Sequence, residues 1–237
     1  MDWSAIAQAG LTPPQIASEA TGEGVRVAVV DTGVDFDHVH LGLEPRGAAV
    51  RWAGDDLVVD PGAAPDVFGH GTCCAALIHW LAPGAELYAV RVTDERPTTD
   101  AARLALGIRH AVDAGAAVLA VAMGTKTSDR AALDAAVVWA LEQGAVVVAP
   151  DPGEPVLPGI CPGAMRVGYW DGVDVVRNGP GYLAEGRARP ARGRARNFKG
   201  PSMSTARAAA ALARYLEGTA ARGTAALEAF SNQLGVR

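Results

Sequence analysis

Val25-Arg26-Val27-Ala28-Val29-Val30-Asp31-Thr32-Gly33 is the stretch on which the fold turns. Its first six residues form a short, nearly continuous apolar run without the alternation of a half-exposed strand. That pattern fits a strand buried on both faces, as in a parallel sheet. The run stops at Asp31, and a carboxylate at the carboxyl end of a parallel strand lies where open α/β sheets place their sites. An Asx-type turn closing the strand explains the same residues, and both readings stay open here.

Outward from this strand the chain alternates. Residues 86–92 read as a strand, 100–114 as a helix, 116–122 as a strand, 129–143 as a helix closed by Gly144, and 145–149 as a strand. Such alternation with short turns predicts right-handed crossovers. The expected fold is therefore α/β: a three-layer, doubly wound, mostly parallel sheet with helices on both faces. Residues 166–170 and 173–177 read as two later strands joined around Asp171-Gly172, and 206–216 and 225–234 as closing helices. Residues 1–24 are a weakly patterned lead-in, and 35–69 are loop-rich with one short apolar segment at 56–59. No internal repeat or linker divides residues 1–237, which read as one domain.

Composition narrows the function classes. The 237 residues are 49% apolar and 5% aromatic, with a net charge of −5. The acidic balance argues against a nucleic-acid partner. The apolar stretches are too short to span a bilayer. Three cysteines, two of them adjacent at Cys73-Cys74, do not make a disulfide framework. The start, Met1-Asp2-Trp3-Ser4, lacks a basic and then apolar leader. A cytoplasmic protein with free thiols is the expectation.

Two further stretches carry chemistry. In Asp66-Val67-Phe68-Gly69-His70-Gly71-Thr72, glycines flank a histidine at the start of an apolar helix over 73–81. Glycine on both sides lets backbone approach closely and leaves the imidazole uncrowded. In Lys199-Gly200-Pro201-Ser202-Met203-Ser204-Thr205, a tight turn opens an Ala-rich helix. A serine there is commonly a helix cap. It is also well placed as an acyl-transfer nucleophile, because unsatisfied N–H groups at a helix start can hold an oxyanion.

Taken together, and in this order, Val-Ala-Val-Val-Asp-Thr-Gly-Val-Asp, Phe-Gly-His-Gly-Thr and Gly-Pro-Ser-Met-Ser-Thr resemble the subtilisin-like serine proteases. The similarity runs over roughly residues 10–220. It implies Ser202 as nucleophile, His70 as general base and then acid, and Asp31 as the group orienting the imidazole. It also implies that Ala122, Met123 and Gly124 pair with an extended peptide or protein substrate, and that no cofactor takes part. Calcium-binding relatives interrupt the helix after the histidine with a loop. Here residues 73–81 run directly into Ala82-Pro83-Gly84, so no metal is expected.

Two departures stand out. The family's oxyanion asparagine follows the strand over 146–148, where this chain has Ala149-Pro150-Asp151-Pro152-Gly153-Glu154. The position falls on Gly153 without a gap, or on Asp151 with a small shift. Glycine has no side-chain donor, and aspartate donates only when protonated. Ala206-Arg207 stands where proline and histidine are usual. The alternative to a narrow-specificity endopeptidase, for example one that processes a precursor peptide, is therefore a catalytically impaired relative that binds a peptide or partner protein. Finally, Arg187, Arg189, Arg192, Arg194, Arg196 and Lys199 form a basic stretch over 185–199 just before Ser202. It reads either as a solvated loop or as a surface, with Arg192, Arg194 and Arg196 at its centre, that receives an acidic segment of a substrate.

Overall fold

The computed structural model describes residues 19–62, 64–126, 130–172, 175–188 and 198–234. β1 (Arg26–Asp31) is flanked on both sides by parallel neighbours, β4 (Glu86–Arg91) and β5 (Val118–Ala120). Val27, Ala28, Val29 and Val30 have no exposed surface, as the unbroken apolar run requires. The sheet continues parallel through β6 (Val146–Asp151) and β7 (Met165–Trp170).

The outer strands are antiparallel hairpins. β2 (Gly47–Ala53) and β3 (Asp56–Pro61) close one edge, and β8 (Val176–Asn178) and β9 (Gly181–Glu185) the other. The nine strands lie in the order β3-β2-β4-β1-β5-β6-β7-β9-β8. α1 (His70–Leu81), α4 (Pro201–Leu216) and α5 (Gly223–Gln233) pack on one face of the sheet. α2 (Ala101–Asp113) and α3 (Ala131–Glu142) pack on the other. This is the three-layer, mostly parallel α/β arrangement expected from the alternation.

Three details differ from the expectation. Residues 35–69 are not merely loop-rich, because they contain the β2–β3 hairpin. Arg51 and Trp52 on this edge are exposed, so no continuous apolar run announces it. The strand expected over 116–122 is regular only at Val118–Ala120. β7 and β8 do not pair with each other. β9, unforeseen in the sequence, stands between them, parallel to β7 and antiparallel to β8.

α4 shows how composition sets position. Ala206, Ala208–Ala211 and Ala213 are fully buried, and side chains this small let the helix lie close against the sheet. Pro201 occupies its first turn, where a missing N–H costs nothing. Ser202 thus starts a helix anchored along its whole length. Arg207 is buried within it. Its guanidinium pairs with the Glu185 carboxylate, and its Nε donates to the Glu185 carbonyl at 3.2 Å, tying α4 to β9. Burial holds the Arg207 guanidinium below its ordinary value, against the pull of Glu185. Among the described residues no helix is long and apolar enough to cross a membrane.

Candidate active site

Asp31 ends β1 with no exposed surface, and His70 opens α1. The imidazole Nδ1 lies 2.8 Å from Asp31 Oδ1 and 3.0 Å from Oδ2. With both carboxylate oxygens in reach, Nδ1 carries the proton and the Nε2 lone pair is left for other work. The approach depends on glycine. Any Cβ on Gly71 would overlap the Gly33 carbonyl, so only glycine lets the helix start press onto the loop after β1. Gly33 itself has φ 103°, a backbone state other residues rarely adopt.

A second carboxylate organises this corner, and sequence reading assigned it no role. Asp66 Oδ1 accepts from the Thr32 hydroxyl at 2.7 Å and from the N–H groups of Phe68 and Gly69 at 2.9 and 2.7 Å. Its Oδ2 accepts from the Thr72 N–H at 2.8 Å and from the Thr72 hydroxyl at 2.5 Å. Thr32 Oγ1 in turn accepts from Gly71 N–H at 3.0 Å. One side chain therefore links the end of β1 to the first turn of α1. Burial opposes its ionisation, but these donors outweigh burial and hold the carboxyl below its ordinary range. The signal was present as an Asp three residues before a glycine at a helix start, the spacing of a side chain that caps local backbone.

His70 is pulled in two directions. Burial disfavours its charged form, while the charge and hydrogen bond of Asp31 and the charge of Asp66 favour it. The net effect holds its pKa above the ordinary 6.5. Phe198 stands edge-on to the imidazole, with ring centroids 5.0 Å apart at 80°.

Ser202 lies in the first turn of α4, and its hydroxyl donates to the Ala122 carbonyl at 2.8 Å. It makes no hydrogen bond to His70. Ala122, Met123 and Gly124 follow β5, so this contact brings the expected substrate-pairing segment beside the nucleophile. The N–H groups of Met203 and Ser204 are both taken by the Gly200 carbonyl, at 3.0 and 3.2 Å, while the Ser202 N–H has no partner among the described residues. One backbone donor is thus available for an oxyanion. Met203 and Ser204 are buried, and the Ser204 hydroxyl donates to the Ala184 carbonyl at 2.8 Å, a structural contact.

The side-chain half of an oxyanion hole is a different matter. Asp151 pairs with Arg166 at 3.0 Å and accepts from Gly153 N–H at 3.0 Å. A carboxylate so engaged is an acceptor and not a donor. Gly153 has φ 86° and open space where a side chain would be. Neither position supplies the expected side-chain donor.

Asp31, His70 and Cys74 place one oxygen, one nitrogen and one sulfur within 4.8 Å of one another. This set fits a cation poorly. Nδ1 is already committed to Asp31, and burial, with the charge of Asp31 adding to it, pushes the Cys74 thiol well above its ordinary value, so it keeps its proton. α1 runs without interruption from His70 to Leu81.

Arg192, Arg194 and Arg196 lie outside the described residues. The base of their stretch is a short antiparallel ladder, in which Ala188 N–H donates to the Phe198 carbonyl at 3.0 Å and Gly200 N–H to the Gly186 carbonyl at 2.8 Å. There Arg187 reaches Asp171 and Glu185, at 3.5 and 3.7 Å. The Lys199 ammonium stands 4.9 Å above the Tyr169 ring.

Several known proteins are similar to this chain. The pattern of the subtilase family matches residues 22–150, just over half of the chain. Thermitase of Thermoactinomyces vulgaris is 35% identical over 146 residues, covering 57% of this chain and 50% of the relative. Subtilisin Savinase of Lederbergia lenta is 36% identical over 138 residues, covering 54% and 48%. Alkaline elastase YaB of Bacillus sp. (strain YaB) is 30% identical over 211 residues, covering 78% and 52%. The chain spans about half the length of these curated relatives. In three dimensions it resembles a cold adapted subtilisin-like serine proteinase, with a TM-score of 0.69 at 22% identity, over 90% of this chain and 81% of that one.

Proposed function

Because this chain belongs to the subtilase family, we propose that it is a serine endopeptidase working through an Asp31–His70–Ser202 triad. The observation that carries the reading is the buried Asp31 carboxylate bound to His70 Nδ1 by both oxygens. In this mechanism the Ser202 hydroxyl leaves Ala122 and turns to His70 Nε2. As Oγ attacks the scissile carbonyl carbon, its proton passes to Nε2, and Asp31 stabilises the imidazolium that forms. The same proton goes to the leaving amine when the C–N bond breaks. A water molecule, deprotonated by His70, then releases the acyl group from Ser202. In this reading the Ser202 N–H, without a partner among the described residues, receives the negative charge of each tetrahedral intermediate.

Loss of one oxyanion donor slows such enzymes by about 10²–10³, roughly 2.7–4 kcal/mol. A slow enzyme follows, and we read it as one of narrow specificity, for example in processing a precursor peptide. The basic stretch before Ser202 supports a peptide or protein substrate with an acidic segment. Three free cysteines support a reducing compartment such as the cytoplasm.

The engaged Asp151 and bare Gly153 favour a second reading, an impaired subtilase that binds a peptide or a partner protein. A fluorophosphonate probe separates the two. Labelling of the wild type that vanishes in Ser202→Ala supports the enzyme, and wild type that stays unlabelled across pH 5–10 supports the binder.

A further inference from the structure

Three consecutive carbonyls at the end of β9 accept hydrogen bonds from the start of α4. The Ser204 hydroxyl donates to the Ala184 carbonyl at 2.8 Å, and Arg207 Nε to the Glu185 carbonyl at 3.2 Å. The Gly200 N–H donates to the Gly186 carbonyl at 2.8 Å. The approach is close, since a Cβ on Gly186 would come within 2.5 Å of the Gly200 carbonyl oxygen and 2.7 Å of Ser204 Oγ. The Gly200 carbonyl in turn accepts from the Met203 and Ser204 N–H groups, so both backbone groups of Gly200 are engaged. The turn that presents Ser202 is thereby located against the end of β9.

Of these three ties, the middle one carries charge. Side chains on a helix lean toward its N-terminus, so Arg207, five residues beyond Ser202, reaches back toward the turn. Its guanidinium forks, with Nε on the Glu185 carbonyl and a terminal nitrogen on the Glu185 carboxylate. A planar fork that grips the main chain and the side chain of one residue fixes orientation as well as distance. Both residues are buried, and the second Glu185 oxygen faces the exposed Arg187 at 3.7 Å. Buried charges are a poor source of stability, because an apolar pair of similar volume is often as stable or more so. What the fork supplies is geometry.

We propose that Arg207 and Glu185 are positioning residues for Ser202, an ion pair that holds the end of β9 on α4 and so sets where the serine stands relative to His70. The inference rests on the endopeptidase reading. In that mechanism the hydroxyl turns from the Ala122 carbonyl to His70, so the backbone beneath it is what has to stay in place. A misplacement of about 1 Å at the reacting atoms can cost about 10²-fold in rate.

The test uses the full chain and two variants in which stability and rate separate. Glu185→Gln keeps an acceptor for the guanidinium and leaves the main-chain contact in place, but strands the buried Arg207 charge. Its stability to urea should fall, while kcat on a small ester stays within about threefold of the wild type. The double variant Glu185→Leu/Arg207→Met removes both charges and fills the space. Its stability should stay close to the wild type, whereas kcat should fall by about 10²-fold with KM little changed. A double variant with wild-type kcat, or one that does not fold, overturns the proposal. So does a kcat in Glu185→Gln that falls in step with its stability; if that variant does not fold, the double variant decides alone. Labelling by a small fluorophosphonate is run alongside. If it succeeds while the variants fail the test, the positioning inference falls alone, and if the wild type stays unlabelled, the endopeptidase reading falls and takes the inference with it.

Discussion

Around His70, the carboxylates of Asp31 and Asp66 are each held by several donors drawn from two separate parts of the chain. Across Ser202, on the side of residues 151–157, the polar groups are engaged with one another. Asp151 holds Arg166, Glu154 holds Lys126, and Leu157 holds Thr125. The first region is preorganised for moving a proton, and the second ties residues 151–157 to their neighbours on β7 and on the segment after β5. Triad geometry and substrate geometry are therefore separable in this chain, which the motifs alone do not reveal.

The steepest way to break the first region is Asp31→Asn. An amide keeps the shape but offers His70 Nδ1 the wrong partner and the wrong tautomer. In a Ser-His-Asp triad this change lowers kcat by about 10⁴. Here kcat, measured on a small ester, should fall by that order with KM little changed. A loss below tenfold would show that Asp31 does not orient the base.

The second region can be sharpened by Gly153→Asn. Asparagine tolerates the left-handed backbone at φ 86°, and a Cβ there meets nothing within 4 Å. If this is the vacant oxyanion position, kcat should rise, by up to about 10²–10³. Asp151→Asn should bring no such gain, since that side chain is directed to Arg166. A rise with Asp151→Asn and none with Gly153→Asn would reverse the assignment.

Legibility followed the same division. β1 and Asp31 could be read because a strand buried on both faces leaves an unbroken apolar run. Ser202 and His70 could be read because glycine and proline punctuate their surroundings. β9, Gly181-Tyr182-Leu183-Ala184-Glu185, is short and follows a Gly-Pro turn, so nothing local marks it as the strand between β7 and β8. Phe198 is an ordinary apolar residue whose role comes from what it touches. Arg207 stands in the sequence only as a departure from the family's pattern, because its partner Glu185 lies on the unforeseen strand.

Asp66→Asn tests whether the second carboxylate only ties the loop or also tunes the base. Leaving buried donors with a poorer partner costs about 1–3 kcal/mol. Because the folded pKa of Asp66 is depressed, its contribution is present above the ordinary 3.8 and is lost as pH falls through that lower value. The stability difference between wild type and variant, from urea unfolding, should therefore be largest near neutrality and fade in acid. The base should respond as well. His70 is held above 6.5 partly by the charge of Asp66, so the acid limb of kcat/KM should lie above the ordinary imidazole value in the wild type and move down in the variant. Lost stability with an unmoved acid limb would make Asp66 a tie and nothing more.

Phe198→Ala should have the smallest effect, and one of opposite sign on the same limb. Its ring closes the edge of the imidazole, and an edge-to-face pair contributes about 0.5–1.5 kcal/mol, or roughly two- to tenfold in kcat/KM. Removing the ring admits water to His70. Burial is what lowers the His70 pKa, whereas the charges of Asp31 and Asp66 raise it and remain in place. Relieving burial alone moves the acid limb up, while Asp66→Asn moves it down. The linked effect on stability follows the same sign, because a raised folded-state pKa stabilises below 6.5 and that contribution is lost as pH climbs through the raised value. The two variants therefore bracket the wild type along the pH axis. If both limbs shift in the same direction, the balance between burial and charge at His70 is not the one the geometry describes.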